Sequence, residues 1–348
     1  MATITPGLMT YAEWALRMDD TGKISTLVNL LSQNNGIMAD CLALECTTGN
    51  VYEYTQVVKL PPVGRRSYNA GVPASLAGVA KQVTTAVEYA DWTKLDKSLA
   101  ELGGSLNELR ATEDALHMEA LSQTVASDLF YANRATDPTA FTGLANIYNT
   151  VSTSTSAIAN NVIDLGGTGS TNTSMWMVTW GPKHIHTIFP KGMPAGMQHR
   201  DMGLLPSVDS NGYEFLAYRT WLQMNIGLAI HDWRFAVRAA NIDVPTLSTG
   251  SPANLINALS RMMMKMPVQP VGVGPVQNSD SPGNMAVQLA RTVIYCNRTV
   301  YLALDQQAQN KTNLFLNMDE WDGHAVLTYR GIPIRVVDAI LNTESRVV

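Results

Sequence analysis

The chain has 348 residues and a mass of 37.8 kDa, enough for two or three compact sub-domains with substantial cores. A hydrophobic fraction of 46% excludes wholesale disorder, and a net charge of −5 with a pI near 5.7 argues against gripping nucleic acid through its phosphates, which needs clustered Lys and Arg. Charged residues make up only 15% of the chain, against about 25% in typical domains: either the surface is rich in Ser, Thr and Asn, or other subunits cover much of it, since interface cores are depleted in charge.

Thr10-Tyr11-Ala12-Glu13 forms a capping-box pattern and opens a short helix. A second helix carries Ile24, Leu27, Val28 and Leu31 at helical spacing and stops at Asn34-Asn35-Gly36. Two short helices at a chain end read as an arm. No basic segment followed by an apolar run marks a signal peptide, and no apolar stretch approaches the ~20 residues of a bilayer span. The three cysteines, Cys41, Cys46 and Cys296, form no Cys-x-x-Cys pair and fit a reducing compartment, so folding in a cytoplasm is expected.

Residues 45–95 read as extended. Val51 to Val58 is rich in strand formers and runs into Leu60-Pro61-Pro62-Val63-Gly64-Arg65-Arg66, where two prolines and a glycine preclude regular pairing. A second strand-like run returns from Gln82 to Tyr89, which predicts a projecting hairpin. Lys59, Arg65, Arg66 and Lys81 make it basic within an acidic chain. That suits contact with an acidic neighbour, and equally a solvated basic loop.

Gly103-Gly104 precede a second capping box, Ser105-Leu106-Asn107-Glu108, and no Gly or Pro interrupts the chain from there to Asn133. Leu106, Leu109, Leu116, Leu121, Val125 and Leu129 form an apolar stripe, widened by Met118 and Phe130. The spacing predicts a helix over about 105–133, a rod of roughly 40 Å, far beyond the mean globular helix of about 12 residues. The Thr/Ser/Asn/Gly stretch from Thr150 to Ser174 reads as a loop or loosely paired insertion. Met175 to Trp180 reads as a buried strand, and residues 213–244 as antiparallel strands. Leu255 to Met264 looks helical, Val268 to Gly283 is a second loop, and Thr292–Cys296 and Ile332–Val337 are short strands. The mixture is α+β.

The order of parts (arm, projecting hairpin, long capped helix, mixed sheet) resembles the Johnson, or HK-ninety-seven-like, fold of tailed-phage major capsid proteins. Several segments resemble the coat proteins of short-tailed phages similar to epsilon-fifteen: Phe141-Thr142-Gly143-Leu144-Ala145, Asp164 to Ser170, Trp180-Gly181-Pro182, Phe189-Pro190-Lys191-Gly192, His231-Asp232-Trp233-Arg234, Ala240-Asn241-Ile242-Asp243 and Gly331 to Asp338. The resemblance covers nearly the whole chain. It implies an N-terminal arm over 1–44 and an E-loop hairpin over 45–96 lying across a neighbour. A peripheral domain over 97–245 would hold the spine helix and a loop-rich insertion, with a mainly axial domain over 246–348. Only Asp338 to Val348 follow the last predicted strand, where the common arrangement has more sheet, which leaves a permuted strand order open.

No constellation of catalytic type emerges. Gly166-Gly167-Thr168-Gly169-Ser170 lacks the Lys-Ser/Thr of a phosphate cradle and reads as a flexible loop. His184 and His186, and His199 and Asp201, lie two apart, but zinc needs three or four converging ligands, and ordinary polar contacts explain them. Glu113, Asp114 and His117 occupy a solvated or subunit-facing side of the long helix, and Ser174 and Ser207 lack a nucleophile-elbow setting. Arg261-Met262-Met263-Met264-Lys265-Met266 is either an adaptable surface for several lattice environments or a plain core helix.

The expectation is a structural coat protein, not an enzyme, without cofactor or metal. It would assemble with itself into hexamers and pentamers of an icosahedral shell enclosing double-stranded DNA, with separate scaffolding, portal and decoration proteins and no membrane. Arg65 and Arg66 are the expected inter-subunit contacts. A β-rich hydrolase or carbohydrate-active protein, or a tail or decoration protein, are the alternatives.

Overall fold

Hydrophobic patterning sorts the described residues into more strand than helix. The computed structural model describes residue 9 and residues 32–69, 71–102, 106–154, 157–209, 211–247, 253–267, 291–309, 316–321 and 324–348. The arm helices expected before Leu31, the capping residue Ser105 and the loop from Val268 to Gly283 lie outside the described residues.

A single turn α1 (Ile37–Asp40) and a short strand β1 (Ala43–Glu45) lead into β2 (Val51–Lys59), β3 (Gly78–Thr85) and β4 (Val87–Asp96). Helix α2 (Lys97–Leu102), the long α3 (Leu106–Tyr131) and one turn α4 (Leu144–Ile147) follow. Next come β5 (Val162–Asp164), β6 (Asn172–Trp180), β7 (Ile185–Phe189), β8 (Met197–Val208), β9 (Glu214–Ile230) and β10 (Ala236–Asp243). The chain closes with α5 (Val244–Leu247), α6 (Leu255–Lys265), β11 (Arg291–Cys296), α7 (Arg298–Gln309), β12 (Leu316–Trp321), β13 (His324–Tyr329) and β14 (Ile332–Val336). The returning run of the hairpin is two strands: β3 ends at Thr85 and β4 starts at Val87, with buried Ala86 between them.

The chain divides into two compact units, the larger made of residues 34–87, 126–194 and 226–348. Its sheet runs β12-β13-β14-β11-β6-β7 and on to residues 226–230 of β9. Strand β6 lies between β11 and β10, antiparallel to both, and all nine of its residues are buried. Burial on both faces explains its unbroken apolar run. Successive side chains still alternate. Met175 and Met177 join the cluster built on Leu255, Leu259, Met262, Val300 and Leu304 of α6 and α7. Trp176 meets Phe130 and Tyr148 at ring-centroid distances of 6.0 Å each, and Trp180 donates to Tyr295 at 2.8 Å. The methionine-rich helix is therefore a core helix, with Met262 and Met263 buried and Met264 exposed.

A charged cluster sits in this core. Arg238 and Glu344 pair at 2.8 Å with side chains only 4% and 5% exposed. Arg238 also donates to Tyr148 O at 2.8 Å and Ser174 Oγ at 3.0 Å, while Tyr131 donates to Glu344 at 2.5 Å. The segment after β14 is thereby drawn into the core. Glu344 pairs its backbone with Asn172, and the Asn241 side chain both accepts from Val347 N and donates to Val347 O at 2.8 Å.

Two glycines of the phage-like segments have steric reasons to be glycine. A Cβ on Gly143 would lie 2.6 Å from Asp128 O and 2.7 Å from Phe130 O, so only glycine lets the chain turn back against the end of α3. A Cβ on Gly167 would meet Asn241 O at 2.7 Å. Gly167 N donates to that same carbonyl at 2.9 Å, and Asn241 holds a positive φ of 59° at a bulge in β10. The Gly166–Ser170 run, expected as a flexible loop, is packed against Asn241 at this point. The preceding insertion is also partly ordered, as β5 pairs in parallel with β10.

The smaller unit comprises residues 1–33, 88–125 and 195–225. Its hairpin pairs β8 with β9 from Met197↔Met224 to Val208↔Glu214, with a bulge between Asp201 and Gly203. Leu95, Ala100 and Leu109 form its buried cluster, with Leu99, Leu106 and Tyr218 against it. Trp92 stacks obliquely on Trp221 at 4.4 Å, and Arg219 lies 4.3 Å over the Trp92 ring. No described helix is long and apolar enough to cross a membrane.

Removing one partner of a buried ion pair leaves an uncompensated charge and costs about 3–5 kcal/mol. Glu344→Ala is expected to lose that much stability in denaturant unfolding of the unassembled subunit. Arg238→Met combined with Glu344→Leu should lose far less. A loss below about 1 kcal/mol for the single variant would contradict the role given to the pair.

Candidate assembly surface

The β2–β3 hairpin pairs from Val51↔Thr85 to Lys59↔Gly78, with an irregularity between Val57 and Lys59. Along β2 the side chains alternate between a half-buried and an exposed face as far as Gln56, and from Val57 onward both faces are exposed. The inward face is polar-aromatic. Tyr54 donates to Ile230 O at 2.8 Å, and the Gln56 amide donates to Ile230 O at 3.2 Å and His231 O at 2.7 Å. Tyr54 stacks on His231 at 4.4 Å, and Tyr52 OH lies 3.0 Å from His231 Nε2. Tyr52 also sets its edge against His186 at 5.1 Å. Arg134 donates to Thr85 Oγ1 at 2.5 Å on the returning strand. The base of the hairpin is clamped.

Beyond the clamp, Val57, Val58, Leu60, Val63, Tyr68, Val72, Leu76 and Val79 are all exposed, and so is Val83 on the outer side of the clamped segment, opposite Glu53. Val63 and Tyr68 are 96% and 101% exposed, so they touch almost nothing of their own chain. Arg65 and Arg66 lie in the same irregular tip and are exposed as well. No Asp or Glu occurs between Glu53 and Glu88, while Lys59, Arg65, Arg66 and Lys81 do. Lys81 pairs with Glu53 at 2.6 Å near the base, so the cationic character concentrates at the tip.

Glu113 and Asp114 of the long helix are not on a solvated face. Glu113 and Asp114 are both buried. Asp114 accepts from Thr220 and lies 3.1 Å from His199 Nε2, while Arg110 pairs with Asp201 at 2.5 Å. Residues two apart on a strand face thus read residues four apart on a helix. His117 pairs with Asp91 at 2.5 Å. Arg110 and Asp201 thus compensate one another within the cluster. Among the described residues no group of three or more His, Cys, Asp or Glu could hold a metal ion.

His186 departs from the expectation of ordinary polar contacts. It is fully buried, and among the described residues neither ring nitrogen has a hydrogen-bond partner. Burial, with the neighbouring His231 as a second cause, pushes its pKa down to about 4, the Gly181 backbone working weakly in the opposite direction. Burial lowers His231 as well. The unfolded chain therefore binds more protons than the folded one below the ordinary imidazole pKa. Stability is full above about pH 6.5 and declines as pH falls toward 4, by about 3 kcal/mol for His186 at ~1.4 kcal/mol per unit. His186→Phe should flatten most of that decline in denaturant unfolding at pH 7, 6 and 5. An equal slope in variant and parent would show that His186 is not responsible.

The family model of Major capsid protein GP7 matches residues 19–348. A chain of the bacteriophage Epsilon15 structure is 30% identical, with a TM-score of 0.75, and the match covers 100% of this chain and 99% of that one. The capsid chain of bacteriophage JBD30 is 9% identical with a TM-score of 0.45, over 97% and 96% of the two chains. No curated protein is a detectable sequence relative. The likeness to Epsilon15 gives the α+β architecture its place as a Johnson-type capsid fold, and the hydrolase and tail-protein alternatives are not favoured. The chain belongs to the Major capsid protein GP7 family, and is a structural coat protein of a bacteriophage virion that assembles with copies of itself into an icosahedral shell.

Proposed function

We propose that the β2–β3 hairpin is the main cohesive limb of the shell, lying across a neighbouring subunit with Arg65 and Arg66 at the contact. The observation that carries this is the run of nine exposed large apolar side chains between Val57 and Val83, on a ribbon whose sequence from Tyr54 to Val87 holds Lys and Arg and no Asp or Glu. A two-stranded ribbon is at best marginally stable in water by itself, and contiguous exposed apolar surface marks an interaction site. Each such contact is modest, and a closed lattice multiplies it.

Within that reading, residues 1–44 act as the arm, 45–96 as the E-loop, 97–245 as the peripheral domain and 246–348 mainly as the axial domain around five-fold and six-fold centres. Assembly takes place in the bacterial cytoplasm, with a separate scaffolding protein, a portal and decoration proteins as partners. The wall encloses double-stranded DNA without specific binding, in keeping with a net charge of −5. The subunit performs no catalysis of its own.

Arg65→Glu with Arg66→Glu should abolish or strongly impair shell formation on gradient sedimentation, while the circular dichroism and unfolding midpoint of the subunit stay unchanged. Shells in normal yield from the double variant would remove the hairpin tip from the contact.

A further inference from the structure

The smaller unit carries a surface groove with the chemistry that the hairpin tip lacks. Leu102, Tyr213 and Phe215 line it, and Asp96, Asp209 and Glu214 stand around them. The hollow is about 580 Å³, within the range that accommodates a large side chain or a short peptide stretch. Leu102 is 60% and Tyr213 73% exposed. They present apolar surface that no described part of the chain covers.

Two of these carboxylates are held in place by backbone donors. Asp96 accepts from Ser98 N and Leu99 N, and Asp209 from Asn211 N and Tyr213 N, in every case through Oδ1. Among the described residues no cation pairs with Asp96, Asp209 or Glu214. No Lys or Arg occurs between Asp201 and Tyr218. The groove is thus apolar at its centre and acidic at its rim. The hairpin tip is its complement: Val63 and Tyr68 project apolar surface, and Arg65 and Arg66 carry positive charge between them, with no acid in the tip.

We propose that the acidic groove formed by α2 and the β8–β9 turn receives the hairpin tip of a second copy of this chain, an aromatic or aliphatic tip residue filling the hollow while Arg65 and Arg66 meet Asp209 and Glu214. This rests on the reading of the hairpin as the cohesive limb, and names its receptor. An apolar centre with a charged rim divides the labour in the usual way of protein interfaces. The desolvated centre holds the contact, and the rim charges select the partner and its register.

Asp209→Asn keeps the oxygen that caps the β8–β9 turn and removes its charge, and Glu214→Lys reverses a side chain that no described residue bonds. Together they should raise the subunit concentration required for shells by about tenfold, equivalent to about 1.4 kcal/mol per contact. Adding Arg65→Glu and Arg66→Glu to the same chain should restore assembly toward that of the parent. A second arm pairs Tyr68→Cys with Tyr213→Cys: oxidation of shells should link chains to one another in denaturing gels, and neither single variant should do so. Normal assembly of the groove variant beside failure of the tip variant overturns the groove and leaves the hairpin reading intact. Normal assembly of the tip variant overturns both. A disulfide confined to single chains, or none in well-formed shells, places another occupant in the groove, such as an accessory protein, and overturns the proposal.

Discussion

Strand β6 has no solvent face, and the larger unit is organised around that constraint. All nine of its residues are buried between β10 and β11. One side is filled by two helices of aliphatic and methionine side chains, and the other by aromatic rings. Both sides had to be closed by elements distant in sequence: α6 and α7 on one, the end of α3 and the C-terminal segment on the other. The Arg238–Glu344 pair follows from the same geometry. Arg238 stands opposite Trp176 in the β10–β6 register, with its guanidinium 5.0 Å from the Trp176 ring. A charge in that position is tolerable only with a carboxylate and several acceptors around it, and the tail delivers the carboxylate.

How much of this was legible in the sequence depended on how far each element relied on its own residues. The long helix, β6, α6, β11 and β14 carry strong local patterns and lie within a few residues of where those patterns place them. Strand β8 does not. Its twelve residues include Gly203 and Pro206, and most of its side chains are exposed, so neither propensity nor alternation announces it. It exists because it lies along β9. Helix α7 was hidden for a different reason: it follows β11 after one residue, and its opening Thr299 and Val300 continue the β-branched character of the strand. The buried Asp114 shows a third kind of failure. An acidic residue on a helix reads as solvated, and only the His199 and Thr220 partners, supplied by strands 85 and 106 residues away, make its burial acceptable.

The surface was more legible than the core in one respect. The basic composition of residues 54–87 and the Pro/Gly break between two strand-like runs mark a projecting ribbon without any structure. What the sequence could not convey was the clamp at its base. Tyr52, Tyr54 and Gln56 are ordinary strand residues until His231 and the carbonyls of the β9 end stand opposite them. The clamp fixes where rigid support ends, at about Gln56, and so which apolar residues are left to be covered by something else.

That boundary also decides between the two explanations of the low charge content. A neutral surface made of Ser, Thr and Asn would leave exposed apolar side chains scattered singly over the molecule, as they are on most monomers. Here nine of the exposed large hydrophobic residues fall between Val57 and Val83, and seven more between Met193 and Leu216. Two ribbons therefore hold most of the exposed apolar surface among the described residues, one with a basic tip and the other with an acidic turn. Sparse charge elsewhere is what a subunit needs when its neighbours, and not water, are to be its surroundings. On the proposed reading, opposite charge on the two ribbons suits a heterologous contact between identical subunits, of the kind that closes into rings when its rotation divides the circle. A closed icosahedral shell needs contacts of that kind, because a two-fold symmetric patch by itself stops at a dimer.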